Sequence, residues 1–210
     1  MIKIGIIDYG VGNIRSISNA FNSFNCKTIF SDDKNVILEC DGLILPGVGA
    51  YNHGMDKLKS KNLTSVINEY VETSKPFLGI CLGMQMLFEK SSEFGETNGL
   101  GLIEGDVKKL PLKNNMKLPF ISWSTIHRNK DLEWGSTILE NTKESCDFYH
   151  VHSYYADPEK PEHVLSYSMY NDFKYCSTVN KNNIFGCQYH PEKSGEEGLK
   201  VIKSFIDLAR

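Results

Sequence analysis

Gly79-Ile80-Cys81-Leu82-Gly83 constrains this chain more than any other stretch. An apolar run, Pro76-Phe77-Leu78, precedes it, and a helix-like run, Met84-Gln85-Met86-Leu87-Phe88, follows. A cysteine between two glycines at such a junction belongs on a sharp strand-to-helix turn. There its side chain projects out of the fold, and small neighbours relieve the crowding. An ordinary core strand or helix gains nothing from those glycines, so the usual fate of a cysteine, structural burial, is the weaker reading. The first amides of the following helix point back at the sulfur and favour negative charge there. The pattern predicts a strand over 77–81 and a helix over 82–88.

An elbow of this kind needs a parallel sheet beneath it, and the first half of the chain supplies the pattern. Short apolar strands are expected over 2–8, 27–30 and 41–45. Helical spacing runs over 13–24, through Ile14, Ile17, Ala20, Phe21 and Phe24, and over 53–71, through Met55, Leu58, Leu63, Val66, Ile67 and Tyr70. Strand-helix alternation implies a parallel, doubly wound sheet. After about residue 99 the pattern changes. Strand-like segments recur at 102–103, 107–110, 120–126, 148–155, 164–170, 175–180 and 184–189. Turn residues such as Lys113-Asn114-Asn115 and Lys181-Asn182-Asn183 link them. A last helix is expected over 195–208. The predicted fold is α/β, a doubly wound, mainly parallel sheet flanked by helices, with antiparallel strands added in the second half. A chain of 210 residues suits one such domain, 1–210.

A cysteine nucleophile needs a base, and Gly186-Cys187-Gln188-Tyr189-His190-Pro191-Glu192 offers one. Pro191 ends the strand and restricts His190 to extended geometry. His190 and Glu192 then share a side. The carboxylate accepts from one ring nitrogen and leaves the other for the thiol, the Cys-His-carboxylate form of triad logic.

Other classes are excluded by composition. Net charge is −3 with no basic stripe, so nucleic-acid binding lacks electrostatic support. No apolar run approaches the ~20 residues of a membrane helix. The N-terminus reads as a first strand, without a basic region or cleavage site. Cysteines stand singly at 26, 40, 81, 146, 176 and 187, which fits a reducing cytoplasm and no zinc or dithiol pairing. Gly10-Val11-Gly12 with Asp32-Asp33 imitates a dinucleotide fingerprint, but Arg15 stands at the third glycine position, so no cofactor is expected. His150, His152 and His190 suggest a metal only superficially, because the elbow accounts for His190, and no metal is expected.

Taken together, the motifs are similar to those of class I, triad-type glutamine amidotransferases, and within them to the glutaminase subunit of imidazole glycerol phosphate synthase. The resemblance rests on Asp8-Tyr9-Gly10-Val11-Gly12-Asn13, Leu45-Pro46-Gly47-Val48-Gly49, the segment from Leu78 to Gln85, Val151-His152-Ser153-Tyr154, and the segment from Gln188 to Ser194. It implies that Cys81, His190 and Glu192 are catalytic. It further implies that Gly47, Val48 and Gly49 form an oxyanion strand, the Val48 amide joining that of Leu82. Gln85, Glu93, His152, Ser153 and Tyr154 would bind L-glutamine. Tyr9, Gly10, Asn13 and Trp123 would face a (β/α)₈ cyclase subunit that receives ammonia in a heterodimer. Where the family reads Met-Gly-Trp-Asn, this chain has Ile121-Ser122-Trp123-Ser124. That departure admits a second reading, a paralogous glutaminase serving the amidation of cell-surface sugars. Two further rivals are another cysteine hydrolase on this fold, which would not need Gln85 and Glu93, and a non-catalytic subunit, which would not need the triad.

Overall fold

A computed structural model describes residues 1–112, 117–130 and 132–210. The first half runs β1 (Ile2–Ile7), α1 (Ile14–Asn22), β2 (Cys26–Ser31), α2 (Lys34–Leu38), β3 (Gly42–Leu45), α3 (Tyr51–Ser60), α4 (Leu63–Glu72) and β4 (Phe77–Ile80). Then come α5 (Leu82–Gln85), β5 (Phe88–Ser91), β6 (Thr97–Asn98), β7 (Ile103–Lys109), β8 (Phe120–Thr125), β9 (His127–Arg128), β10 (Asp147–His152) and β11 (Tyr154–Pro158). The chain closes with β12 (Val164–Tyr170), β13 (Phe173–Lys181), β14 (Ile184–Cys187) and α6 (Gly195–Leu208).

The main sheet has the order β2-β1-β3-β4-β14-β13-β12-β9. Its first five strands pair in parallel, and the last three add antiparallel. Both faces of the parallel part are covered, so β3 and β4 are apolar and buried along their whole length. Alternate residues feed two cores. Leu43, Leu45 and Phe77 meet Met55, Leu58, Ile67 and Tyr70 of α3 and α4. Ile44, Leu78 and Ile80 meet Ile17 and Phe21 of α1 and Val201, Ile202 and Phe205 of α6. Phe21 and Phe205 pack edge to face at 6.1 Å. Smaller sheets, β11-β7-β5-β6 and β10-β8, stand beside the main one.

The architecture agrees with the sequence-based expectation, and four local differences have physical causes. The expected helix over 53–71 is two helices, because Asn62 adopts the left-handed conformation at φ 55°, which asparagine tolerates better than most residues. The expected helix over 82–88 stops at Gln85. The backbone of Met86, Leu87 and Phe88 accepts hydrogen bonds from residues 100–103 instead, and Gly99 approaches so closely that a Cβ there would lie 2.2 Å from the Phe88 carbonyl. The expected strand over 148–155 is β10 and β11, which change sheets at Ser153, whose carbonyl accepts from the Leu110 amide. Helix α2 was not foreseen. Its cap is Asp33, whose carboxylate accepts from the amides of Asn35 and Val36 at 2.8 and 3.2 Å. Asp32 pairs with Lys61 at 2.8 Å, so this acidic pair is occupied in building local structure. The expected Lys113-Asn114-Asn115 turn lies outside the described residues.

Asp33→Ala removes an N-cap and is expected to cost about 1 kcal/mol of stability. Chemical denaturation should find this loss, with the slope on denaturant unchanged.

Candidate active site

Cys81 ends β4 at φ 55°, ψ −108°, a backbone conformation that L-residues rarely adopt and that persists only where its surroundings impose it. Those surroundings are backbone. A Cβ on Gly79 would lie 2.6 Å from the Gly83 carbonyl oxygen, and one on Gly83 would lie 1.9 Å from the Leu45 carbonyl oxygen. The first turn of α5 therefore rests directly on the ends of β3 and β4, and only glycine fits. The Cys81 amide is held by the Cys187 carbonyl at 2.8 Å, tying the elbow to β14.

The same β14 delivers the base. His190 follows two residues after Gln188, its amide bonded to the Tyr149 carbonyl at 2.9 Å and its carbonyl to the Ser194 hydroxyl at 2.6 Å. Residues 191–193 form one 3₁₀ turn rather than the extended segment expected. That turn still brings Glu192 Oε1 to 2.8 Å from His190 Nδ1, both side chains almost fully buried. The ring's Nε2 is buried without a hydrogen-bond partner, and Cys81 is the neighbour whose charge acts on it. Burial alone would drive the imidazolium down, but the Cys81 sulfur and the Glu192 carboxylate outweigh it and raise His190 to about 10. Burial raises the other five thiols, Cys26, Cys40, Cys146, Cys176 and Cys187.

A cavity of about 340 Å³ opens over the elbow, lined by Val48, Gly49, Cys81, Leu82, Gln85 and Glu93 on one side and by Pro119, Val151, His152, Ser153, Tyr154 and His190 on the other. The expected triad, oxyanion and glutamine-binding residues thus line one space, except Glu192, which reaches it only through His190, and Gly47, which supports it from behind. A Cβ on Gly47 would lie 2.8 Å from both the Gly83 amide nitrogen and Leu82 Cβ. Beyond it the strand is loose. Val48 is 42% exposed, and Gly49, at φ 95°, has nothing within 4 Å of a would-be Cβ.

One backbone carbonyl sets the polarity of the pocket floor. The Tyr154 oxygen accepts from Gln85 Nε2 and from His152 Nδ1, each at 2.9 Å. A carbonyl can only accept, so both nitrogens there carry hydrogen. Burial holds His152 down, to about 4, and pushes His150 well below its ordinary range. Both rings are neutral, with His150 Nδ1 3.2 Å from the Tyr175 hydroxyl. Gln85 Nε2 uses its second hydrogen on Gln188 Oε1 at 3.0 Å, and Gln188 Nε2 lies 3.8 Å from the Cys81 sulfur. Gln188 is fully buried. Sequence reading had given it no role, although a buried amide in an apolar strand must be hydrogen-bonded. Its i, i+2 spacing from His190 already put it on that residue's face. Glu93 reaches the N-terminus of α3, where its Oε2 accepts from the Tyr51 amide at 2.7 Å.

The residues assigned to a partner surface divide. Gly10 is exposed, and Asn13 is half-buried. Trp123 is 53% exposed beside Ile121, 58% exposed, so it is not the core residue its type alone suggests. Tyr9 corrects the expectation. It is fully buried, and its hydroxyl donates to the Pro46 carbonyl at 2.5 Å. A tyrosine here braces the oxyanion strand and cannot present its ring to a partner.

The His190 shift has a measurable origin. Cys81→Ala removes its sulfur neighbour, so the imidazole titration followed by NMR should fall from about 10 toward the ordinary 6.5. The folded value exceeds the unfolded one, so the linked stabilisation is complete below about pH 6.5 and is lost as pH rises through about 10. The variant should lose most of that pH dependence.

Comparison with known proteins gives the same answer from another direction. The glutamine amidotransferase class-I family matches residues 5–208. Imidazole glycerol phosphate synthase subunit HisH of Lactococcus lactis is 44% identical, covering 99% of both chains. That of Aquifex aeolicus is also 44% identical, over 95% of this chain and 94% of its own. Subunit HisH 1 of Legionella pneumophila strain Lens is 40% identical over 99% and 100%. Among solved structures, PurLQS from Thermotoga maritima superposes with a TM-score of 0.76 at 21% identity, covering 100% of this chain and 99% of that one. The glutaminase domain of Trypanosoma brucei CTPS superposes at 0.69 and 16% identity, covering 100% and 94%. Motif, elbow geometry and full-length match agree, and the chain belongs to the class I glutamine amidotransferase family.

Proposed function

We propose that this chain is the glutaminase subunit of imidazole glycerol phosphate synthase, hydrolysing L-glutamine and passing the ammonia to a synthase subunit in histidine biosynthesis. The observation that carries it is a lined pocket holding Cys81 and His190, with Glu192 against the far nitrogen of the imidazole, in a chain matched over its whole length by HisH subunits.

The chemistry follows from the atoms present. Cys81 Sγ attacks the side-chain amide carbon of glutamine, and the carbonyl becomes an oxyanion. Backbone amides of Val48 and Leu82 are the donors suited to it, each worth about 3 kcal/mol in the transition state. Collapse breaks the C–N bond, and the His190 proton leaves with ammonia. The ring, now a base, takes a proton from water as that water attacks the thioester, and glutamate departs with the thiol restored. Glu192 holds the imidazole throughout. Gln85 has both Nε2 hydrogens engaged, so only its Oε1 is available to substrate. Glu93 likewise offers an acceptor. Two acceptors select the α-ammonium end of glutamine, and the α-carboxylate goes to the His152-Ser153-Tyr154 side.

Ammonium is not a nucleophile, so the ammonia must reach its acceptor before it is protonated. Val48 and Trp123 beside the pocket mouth, with Ile121 and Gly10, are the surface suited to a (β/α)₈ partner in a heterodimer. The oxyanion strand supports control by that partner. It is held at Pro46 and Gly47, while Val48 is exposed and Gly49 stands in open space. A peptide free to rotate would leave the oxyanion one donor short, at about 10²–10³ in rate.

Two outcomes test the reading. Cys81→Ala, assayed in the complex, should abolish glutamine-dependent synthesis and leave ammonia-dependent synthesis largely intact. Loss of both would give Cys81 a structural part instead. Steady-state glutaminase kcat should rise by about two orders of magnitude or more when the histidine-pathway synthase and its acceptor are added. No rise with that synthase, and a rise with a sugar-amidating partner, would favour the paralogous reading that Ile121-Ser122-Trp123-Ser124 admits.

A further inference from the structure

The reaction above leaves one buried group without a part. Gln188 sits at the end of β14, fully buried, two residues before the base and against the sulfur of the nucleophile. We propose that Gln188 is a catalytic residue of this site, donating a side-chain N–H to the Cys81 sulfur and stabilising the thiolate both before attack and as the leaving group of the thioester.

Its orientation is dictated from a distance. The Tyr154 carbonyl fixes the Gln85 nitrogen, the second Gln85 N–H fixes Gln188 Oε1, and Gln188 Nε2 is left toward the sulfur. Rotating the Gln188 amide by half a turn would set N–H against N–H and oxygen against sulfur. On its other side, the sulfur meets the Val151 carbonyl at 3.8 Å. That oxygen accepts from a protonated thiol and repels a thiolate. Once the proton has gone to His190, the Gln188 N–H is a second donor to the sulfur beside the imidazolium, and it strengthens because the acceptor is now charged. In the thioester the sulfur carries no charge and the bond weakens. It returns as the S–C bond breaks in the second half of the reaction, which places the stabilisation where charge develops. Gln85 Oε1 faces the opposite way, so an ammonium bound there polarises the Gln85 amide and reinforces the chain of donors.

The proposal takes its substrate from the glutaminase reading, but its chemistry at sulfur can be tested without one. The measurement is the second-order rate of Cys81 alkylation by iodoacetamide at pH 7, resolved by mass spectrometry on the full chain, with thermal melting as a control. Gln188→Leu should slow alkylation about tenfold, the worth of one hydrogen bond to a charged group. Gln188→Glu keeps the shape and the Gln85 contact but turns an oxygen on the sulfur, and should slow it further. Gln85→Leu leaves Gln188 in place without the donor that orients it, and should give an intermediate loss. In the complex, kcat for Gln188→Leu should fall by a similar factor with KM within about twofold. Alkylation at the wild-type rate in Gln188→Leu, or faster alkylation of Gln188→Glu than of Gln188→Leu, would overturn the proposal. Absence of glutamine turnover in the wild-type complex, with the alkylation series as expected, would instead remove the glutaminase reading and leave the donor in place.

Discussion

The whole site hangs on a contact between two backbones. Gly83 lies against the Leu45 carbonyl with no room for a Cβ, and Gly79 against Gly83 in the same way. This contact lets α5 start within one residue of β4 and holds Cys81 in a conformation it would not otherwise keep. It also brings the Gly83 amide and the Leu82 side chain against Gly47. Larger residues at these positions would push the start of α5 off the ends of β3 and β4 and displace Cys81. The parallel sheet is what makes the contact possible. Adjacent strands β3, β4 and β14 all end at the same edge and deliver Gly47, Cys81 and His190 to one place.

Polarity in the pocket floor is likewise set by backbone rather than by charge. The Tyr154 carbonyl exists where it does because the chain changes sheets at Ser153, and from there it orders two side-chain amides and an imidazole. Such a chain has one consistent assignment of donors, so the sulfur always meets an N–H.

Legibility in the sequence followed the range of the interactions. The elbow glycines, the strand-helix alternation and the His190-Pro191-Glu192 unit are local patterns, and the parallel sheet and the His190–Glu192 contact were readable from them. The break at Asn62 and the cap at Asp33 carry local signals too, an asparagine suited to the left-handed region and an aspartate before a helix, that helical periodicity and an apparent fingerprint masked. Tyr9 and Gln188 were different. Tyr9 is placed by a hydroxyl bond to Pro46, 37 residues away, and Gln188 by partners more than 100 residues away. Family resemblance suggested a partner-facing residue in the first case, and residue type an ordinary strand residue in the second. Only assembly of the sheet gives either its part.

Three buried histidines complete the argument. Burial lowers His150 and His152, whereas the sulfur and Glu192 raise His190 against its own burial. Charge on His150 or His152 would oppose charge on His190, so the neutrality of the two is part of what lets the third hold a proton to give away. The Nδ1–H bond to Tyr154 fixes the His152 ring in this separation. Which of the three imidazoles is favoured to hold a proton is therefore a property of the cluster, set by one carboxylate and one sulfur.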